Sequence, residues 1–140
     1  MYKRQVKNAC DLWENNCGVR FKPVTSDGDI LLSFGSGVHA SCAFRFDGRG
    51  GELGHAYPPP PSGGVHAGEV HFDEDETWTV TSPNQAGEKD FETVAAHEIG
   101  HAIGLDHTQV KNALMYSTYE GIHRYLDSDD INGAQSLYGA

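Results

Sequence analysis

The chain has 140 residues, enough for one domain around one core and too few for two large ones. Its net charge of −10 argues against nucleic acid and anionic membrane surfaces as partners and suits hard cations such as Ca²⁺. No apolar run is long enough to span a membrane, and three cysteines (Cys10, Cys17, Cys42) allow at most one disulfide.

In chain order, Tyr2 to about Asn15 reads as an amphipathic helix, because Val6, Ala9, Cys10, Leu12 and Trp13 recur at three- and four-residue steps. Asn15-Asn16-Cys17-Gly18 supplies its stop. Val19 to Val24 alternates like a short strand, with Pro23 marking a sheet edge. Ser26-Asp27-Gly28 is a turn, and Ile30 to Phe34 predicts a more buried strand. A long irregular region follows from Gly35 to about Val70, rich in glycine and holding four consecutive prolines, Pro58 to Pro61. Short strand-like pieces lie within it near Leu53–Tyr57 and across its end at Glu69–Phe72. So much loop in a compact domain calls for crosslinks, and metal ions supply them. Thr77 to Val80 is a short extended segment, and Ser82 to Lys89 a loop. Asp90 caps a central helix over Asp90–Ile103, with Val94, Ala95, Ile99 and Ala102 as its apolar positions. A last helix runs from Asp127 to Tyr138, with Ser128 or Asp129 as N-cap, and Gly139 ends it.

The chemistry concentrates on the central helix. His97-Glu98-Ile99-Gly100-His101-Ala102-Ile103-Gly104-Leu105-Asp106-His107 has the form H-E-x-x-H-x-x-G-x-x-H, a zinc-peptidase signature. His97 and His101 are four apart and share a helix face, so both reach one tetrahedral Zn²⁺. Glu98 lies on the flank, within reach of a metal-bound water. Gly104 tolerates the positive φ that ends the helix and returns His107 as third ligand. Three protein ligands leave a position for water, the catalytic arrangement.

With Met115 included, the chain resembles a metzincin: Ala113-Leu114-Met115-Tyr116 is similar to the Met-turn. The stretches Phe46–Tyr57, His71–Trp78 and Asp129–Gly139 resemble the catalytic domain of matrix metalloproteinases. The proline run and the segment between Tyr119 and Asp127 are similar to karilysin-like short members. The resemblance implies an α+β metzincin fold in a single domain over 1–140. A small twisted mixed sheet would sit with an N-terminal, a central active-site and a C-terminal helix. No propeptide or hemopexin-like domain is recognised in the chain.

The resemblance also implies a secreted, monomeric zinc endopeptidase. It would act on proteins or peptides with an apolar residue just after the cleaved bond, with Glu98 as general base, and be open to hydroxamate or proteinaceous inhibitors. A second, structural zinc is implied on His39, His55 and His71. Ser41 stands where the family has its aspartate ligand, so the fourth position is open to Cys42, to water or another group, or the site stays empty. Calcium is implied on Asp47, Gly48, Gly50, Glu52, Asp73 and Glu76, with a second calcium on Asp29 and Glu69. Substrate contacts are implied for Leu53, Gly54, Ala56, Thr93, Val94, Ser117 and Tyr119, with the Ala56 carbonyl facing the reacting site and the Gly121–Leu126 loop lining the main pocket. Ser117 replaces the family's proline, which softens that wall. The family carries a strand before the first helix, and only Met1 precedes Tyr2 here. An alternative reading follows: a catalytically weak or inactive metal-binding interaction module. Asn16-Cys17-Gly18-Val19 resembles an inhibitory propeptide motif only in part, and a semi-buried cysteine at a helix stop is the preferred reading.

Overall fold

The computed structural model describes residues 2–39, 42, 44–81 and 85–140. Three helices flank a small sheet: α1 (Lys3–Glu14), α2 (Phe91–Ala102) and α3 (Ser128–Tyr138). Strands β1 (Leu31–Gly35), β2 (Gly54–Ala56) and β3 (Glu69–Asp73) form a mixed sheet in the order β1-β3-β2. β1 runs parallel to β3 and β2 antiparallel, with His55 opposite His71. A separate parallel pair joins β4 (Thr77–Thr79) to β5 (Glu88–Asp90). The α+β class and the three helices agree with expectation.

The core lies between α1, α2 and the sheet. Trp13, fully buried on α1, donates its indole N–H to the Ala96 carbonyl at 2.9 Å, which fixes α1 against the active-site helix. Val70 and Phe72 on β3 pack with Phe91, Ala95 and Ile99 on α2. Gly100 is required at this contact: a Cβ there would come within 2.5 Å of the Met115 sulfur and 2.9 Å of the Trp13 ring. Met115 therefore presses on α2 from beneath, one position before His101.

Four expectations change. Val19–Val24 forms no strand and pairs with none among the described residues, so its alternation does not make a sheet edge. β1 forms, yet it is not buried: Leu31 is 52% and Phe34 40% exposed, and β1 is an edge strand with β3 as its one neighbour among the described residues. Glu88 and Lys89 belong to a strand rather than a loop, since they pair with Thr77 and Trp78; residues 82–84 of that expected loop lie outside the described residues. The N-cap of α3 is Asp127, whose carboxylate accepts from the Asp129 N–H in a capping box closed by Asp130. All three cysteines are free; Cys17 is buried and its thiol donates to the Trp13 carbonyl, consistent with a helix-stop role.

Candidate active site

Asp90 starts the active-site helix by accepting from the Thr93 N–H at 3.1 Å. The helix ends at Ala102, and Gly104 takes φ 115°, a conformation that disfavours any side chain. The Leu105 N–H then bonds back to the Gly100 carbonyl at 2.9 Å, and the reversed chain carries His107 under the helix end. The Nε2 atom of His107 lies 3.3 Å from that of His97 and 3.1 Å from that of His101.

The other ring nitrogens show which faces are free. His97 Nδ1 donates to the Leu114 carbonyl at 2.8 Å, and His101 Nδ1 to the Leu105 carbonyl at 2.7 Å. With the proton on Nδ1, each Nε2 presents a lone pair to the common centre. Lone pairs so close repel unless a cation lies between them. Ligands at about 2.0–2.1 Å in tetrahedral array sit about 3.3–3.4 Å apart, close to what is found. The three histidines therefore fit a zinc ion.

Glu98 supports the same fit. It is 5% exposed, and its Oε2 is buried without a hydrogen-bond partner among the described residues. Burial, with a smaller contribution from the Glu52 charge, pushes its carboxyl up to about 8. A divalent cation beside it supplies the opposite charge that lowers such a carboxyl. Burial also depresses His97 to about 4, with the charges of His101 and His107 adding to it and the Leu114 carbonyl opposing. A neutral imidazole is what a metal requires.

The Met-turn is held by a residue whose role was not drawn from the sequence. Asp130 is 2% exposed and accepts three backbone N–H groups, from Leu114 (2.7 Å), Met115 (3.0 Å) and Asp127 (2.9 Å). The Thr108 N–H bonds to the Met115 carbonyl at 3.1 Å, which ties the His107 turn to the Met-turn. A carboxylate before an apolar helix position signals only a cap in sequence; its reach to residue 114 is tertiary.

A cleft of about 330 Å³ runs past the histidines. Leu53, Gly54, Thr93, Val94, Ser117 and Tyr119 line it as expected, together with Glu98 and Gly121 to His123. Ala56 does not line it; it pairs with Val70 in the sheet. The wall at 121–124 is tied down from outside the cleft. Arg124 donates to both oxygens of Asp90, at 2.5 and 2.9 Å, and the His123 N–H donates to Thr93 Oγ1 at 2.8 Å. Burial alone would raise Asp90, but the bonds from Arg124 and Thr93 outweigh it and hold it below the usual carboxylate range. Neither anchor was drawn from the sequence, because Asp90 reads there as a helix cap alone.

A second cluster joins His39, Cys42, His55 and His71. His55 Nε2 lies 3.2 Å from His39 Nε2, 3.0 Å from His71 Nδ1 and 3.3 Å from Cys42 Sγ. His39 Nδ1 is committed to the Gly37 carbonyl at 2.8 Å. These four donors suit zinc, which takes nitrogen and thiolate sulfur together. Burial, reinforced by His71 and His39, lowers His55 to about 4. Ser41 lies outside the described residues.

The acidic set converges less tightly, and these two His-containing groups are the metal-like clusters among the described residues. Asp73 and Glu76 are buried, and Asp73 Oδ2 and Glu76 Oε2 have no hydrogen-bond partner among the described residues. Burial raises Asp73, and burial with the charges of Asp47 and Asp73 raises Glu52, as cation-free carboxylates crowded together require. Gly48 and Gly50 both take positive φ, 83° and 81°, in the loop between Asp47 and Glu52. Of the expected second calcium pair, Asp29 is exposed, and Glu69 engages His71 Nε2 at 2.9 Å and His66 Nδ1 at 3.1 Å.

The metal-free protein is expected to be most stable near pH 6.5. Folded His55 and His97 stay neutral to about 4, whereas unfolded histidine protonates at 6.5. Below pH 6.5 the unfolded chain thus binds more protons through these two groups, and stability falls. Glu98 acts oppositely: raised from 4.5 to about 8, it makes stability fall as pH rises between those values. Below pH 6.5 these two histidines outweigh the one glutamate; His71, His101 and His123, which burial also lowers, add to the loss, and the raised Glu52 and Asp73 oppose it. Urea melts of chelator-treated protein at pH 5.0, 6.5 and 8.0 check this; a midpoint that rises steadily with acid contradicts it.

The matrixin peptidase family model matches residues 1–139. The chain is 43% identical to karilysin of Tannerella forsythia over 136 residues, which cover 96% of this chain and 28% of that protein. It is 42% identical to human matrix metalloproteinase-27 over 138 residues (96% of this chain, 26% of the relative). Rat matrilysin is also 42% identical over 138 residues (96% of this chain, 49% of the relative). The chain thus spans about a quarter to half the length of these relatives. The convergent histidines, the buried glutamate and the methionine beneath them agree with that match over nearly every residue: the chain belongs to the matrixin family of metalloendopeptidases.

Proposed function

We propose that this domain is a zinc-dependent endopeptidase that cleaves proteins or peptides before an apolar residue. The observation that carries the proposal is the meeting of three Nε2 lone pairs in an open cleft, beside a buried glutamate oxygen that has no hydrogen-bond partner among the described residues. Zinc, when bound, supplies the Lewis acidity that activates a water and polarises the scissile carbonyl. Glu98 takes the proton of the attacking water and returns it to the leaving amine. The substrate backbone adds as a strand along β2, whose second edge is open among the described residues. Val94, Leu114 and Tyr119 give the pocket beyond the cleaved bond an apolar lining, and Arg124 on Asp90 keeps its far wall in place.

A second zinc on His39, Cys42, His55 and His71 crosslinks the long loop to β2 and β3. Calcium on Asp47, Asp73 and Glu76, with carbonyls of Gly48, Gly50 and Glu52, relieves the buried carboxylates; an extracellular setting, rich in calcium, suits such a site. No helix is long and apolar enough to cross a membrane.

Quenched peptides that differ only in the residue after the cleavage point test the reading. Cleavage before leucine is expected to exceed cleavage before aspartate by about tenfold or more, in line with the 1–3 kcal/mol of an apolar pocket contact. A zinc chelator is expected to abolish it, and added zinc to restore it. Metal binding at full occupancy without any cleavage would leave the interaction-module reading instead.

A further inference from the structure

We propose that Glu69 is a positioning residue of the second metal centre, holding His71 in the one orientation in which its Nδ1 can bind metal. The inference rests on the reading of His39, Cys42, His55 and His71 as a zinc site.

Glu69 and His71 are two apart on β3 and therefore share a face of the sheet. His71 is 1% exposed, so its ring has little water to satisfy it. One ring nitrogen, Nδ1, faces His55 Nε2 at 3.0 Å; the other, Nε2, lies 2.9 Å from Glu69 Oε1. A carboxylate can only accept, so Nε2 carries the proton and Nδ1 keeps its lone pair for the metal. The second oxygen of Glu69 meets His66 Nδ1 at 3.1 Å, on the turn Gly64–His66 that leads into β3. That contact holds the carboxylate in place. The His66 ring lies 4.9 Å from the Tyr57 ring, and Tyr57 Oη is 2.7 Å from Cys42 Sγ. Two of the four ligands, His71 and Cys42, are thus held by partners that touch each other through Tyr57 and His66. The arrangement is a carboxylate–histidine pair of the kind that orients metal ligands, and removing such a carboxylate costs about 10–100-fold in metal affinity.

The full chain is loaded with zinc, and metal per chain is measured during titration with a competing chelator, beside Glu69→Ala and Glu69→Gln. The parent is expected to hold two zinc ions. In Glu69→Ala the ion bound by the His39–His71 cluster should be released at about 10–100-fold lower chelator concentration, while the ion at His97, His101 and His107 is retained. Glu69→Gln keeps one acceptor oxygen and should fall between the two; it carries the test if the alanine variant does not fold. Cobalt loading reports separately on the cluster, because a thiolate ligand adds a near-ultraviolet charge-transfer band that should weaken in step. Two ions with unchanged release in both variants overturn the role of Glu69 and leave the centre standing. A parent that holds one ion, lost in His101→Ala, overturns the centre and the proposal together. A variant that loses calcium affinity and keeps both zinc ions makes Glu69 a calcium ligand and overturns the proposal.

Discussion

Glu98→Gln is expected to lower kcat/KM for a peptide substrate by about 10²–10⁴-fold while zinc content stays at the parent level. Glutamine has the size of glutamate and fills the same space, but it cannot accept a proton. The three histidines keep their geometry, because what orients His97 and His101 is the Leu114 and Leu105 carbonyls to which they donate, not residue 98. The same substitution should leave the metal-free protein as stable as the parent or more so. It replaces a 5%-exposed carboxyl, one oxygen of which lacks a hydrogen-bond partner among the described residues, by a neutral group. Loss of activity with an unchanged or higher melting temperature separates a chemical role from a structural one. A variant that cleaves as fast as the parent would remove Glu98 from the mechanism.

Asp130→Ala is expected to destabilise the fold by about 3–5 kcal/mol, because it strands two buried backbone N–H groups and frees a third that is half-buried. For a domain of this size that lowers Tm by about 10 °C or more. The damage should also reach the active site, since two of the stranded groups belong to Leu114 and Met115. The Leu114 carbonyl fixes His97, and Met115 packs against α2 at Gly100. Asp130→Asn keeps one acceptor and should lose roughly half as much. Thermal melts of the zinc-loaded variants, with zinc affinity measured alongside, check both parts. An alanine variant with the parent's Tm and affinity would show that the Met-turn holds its shape without this anchor.

The two variants probe different levels of the same site. Glu98 lies inside the helical motif, and its role follows from its neighbours in the chain. Asp130 acts across a gap of sixteen residues, with its bond to the Leu114 N–H at 2.7 Å. Arg124 reaches further, thirty-four residues back to Asp90, and so joins the wall of the pocket to the N-cap of the central helix. Long-range partners of this kind leave no periodic trace in sequence. A hydrogen bond needs two matched groups and says nothing about their separation along the chain.

Local errors have a similar cause. Alternation at Val19–Val24 resembles a strand, but a strand exists only where a neighbour supplies its hydrogen bonds, and here none does among the described residues. Ile30 to Phe34 is apolar enough for a buried strand, yet burial depends on what packs against its faces, and among the described residues β1 is an edge strand whose residues Leu31 to Phe34 stay exposed. Glu88 and Lys89 look like loop residues by type, and pairing with Thr77 and Trp78 draws them into β5.

By itself the sequence determined the chemistry of the centre. The spacing of His97, Glu98, His101 and His107 dictates which side chains share a helix face, and Gly104 dictates where the chain can turn; both follow from backbone geometry within eleven consecutive residues. It also determined that His39, His55 and His71 are candidates for one cluster, through their resemblance to known motifs. Only the tertiary structure decided that Cys42 joins them, that Glu69 turns to His71 and His66 while Asp29 remains exposed, and that Asp130 and Arg124 hold the two walls of the cleft. Those choices depend on where a folded chain brings distant carboxylates, thiols and rings within about 3 Å of one another, a distance that hydrogen bonding and metal ligation require and that sequence spacing does not measure.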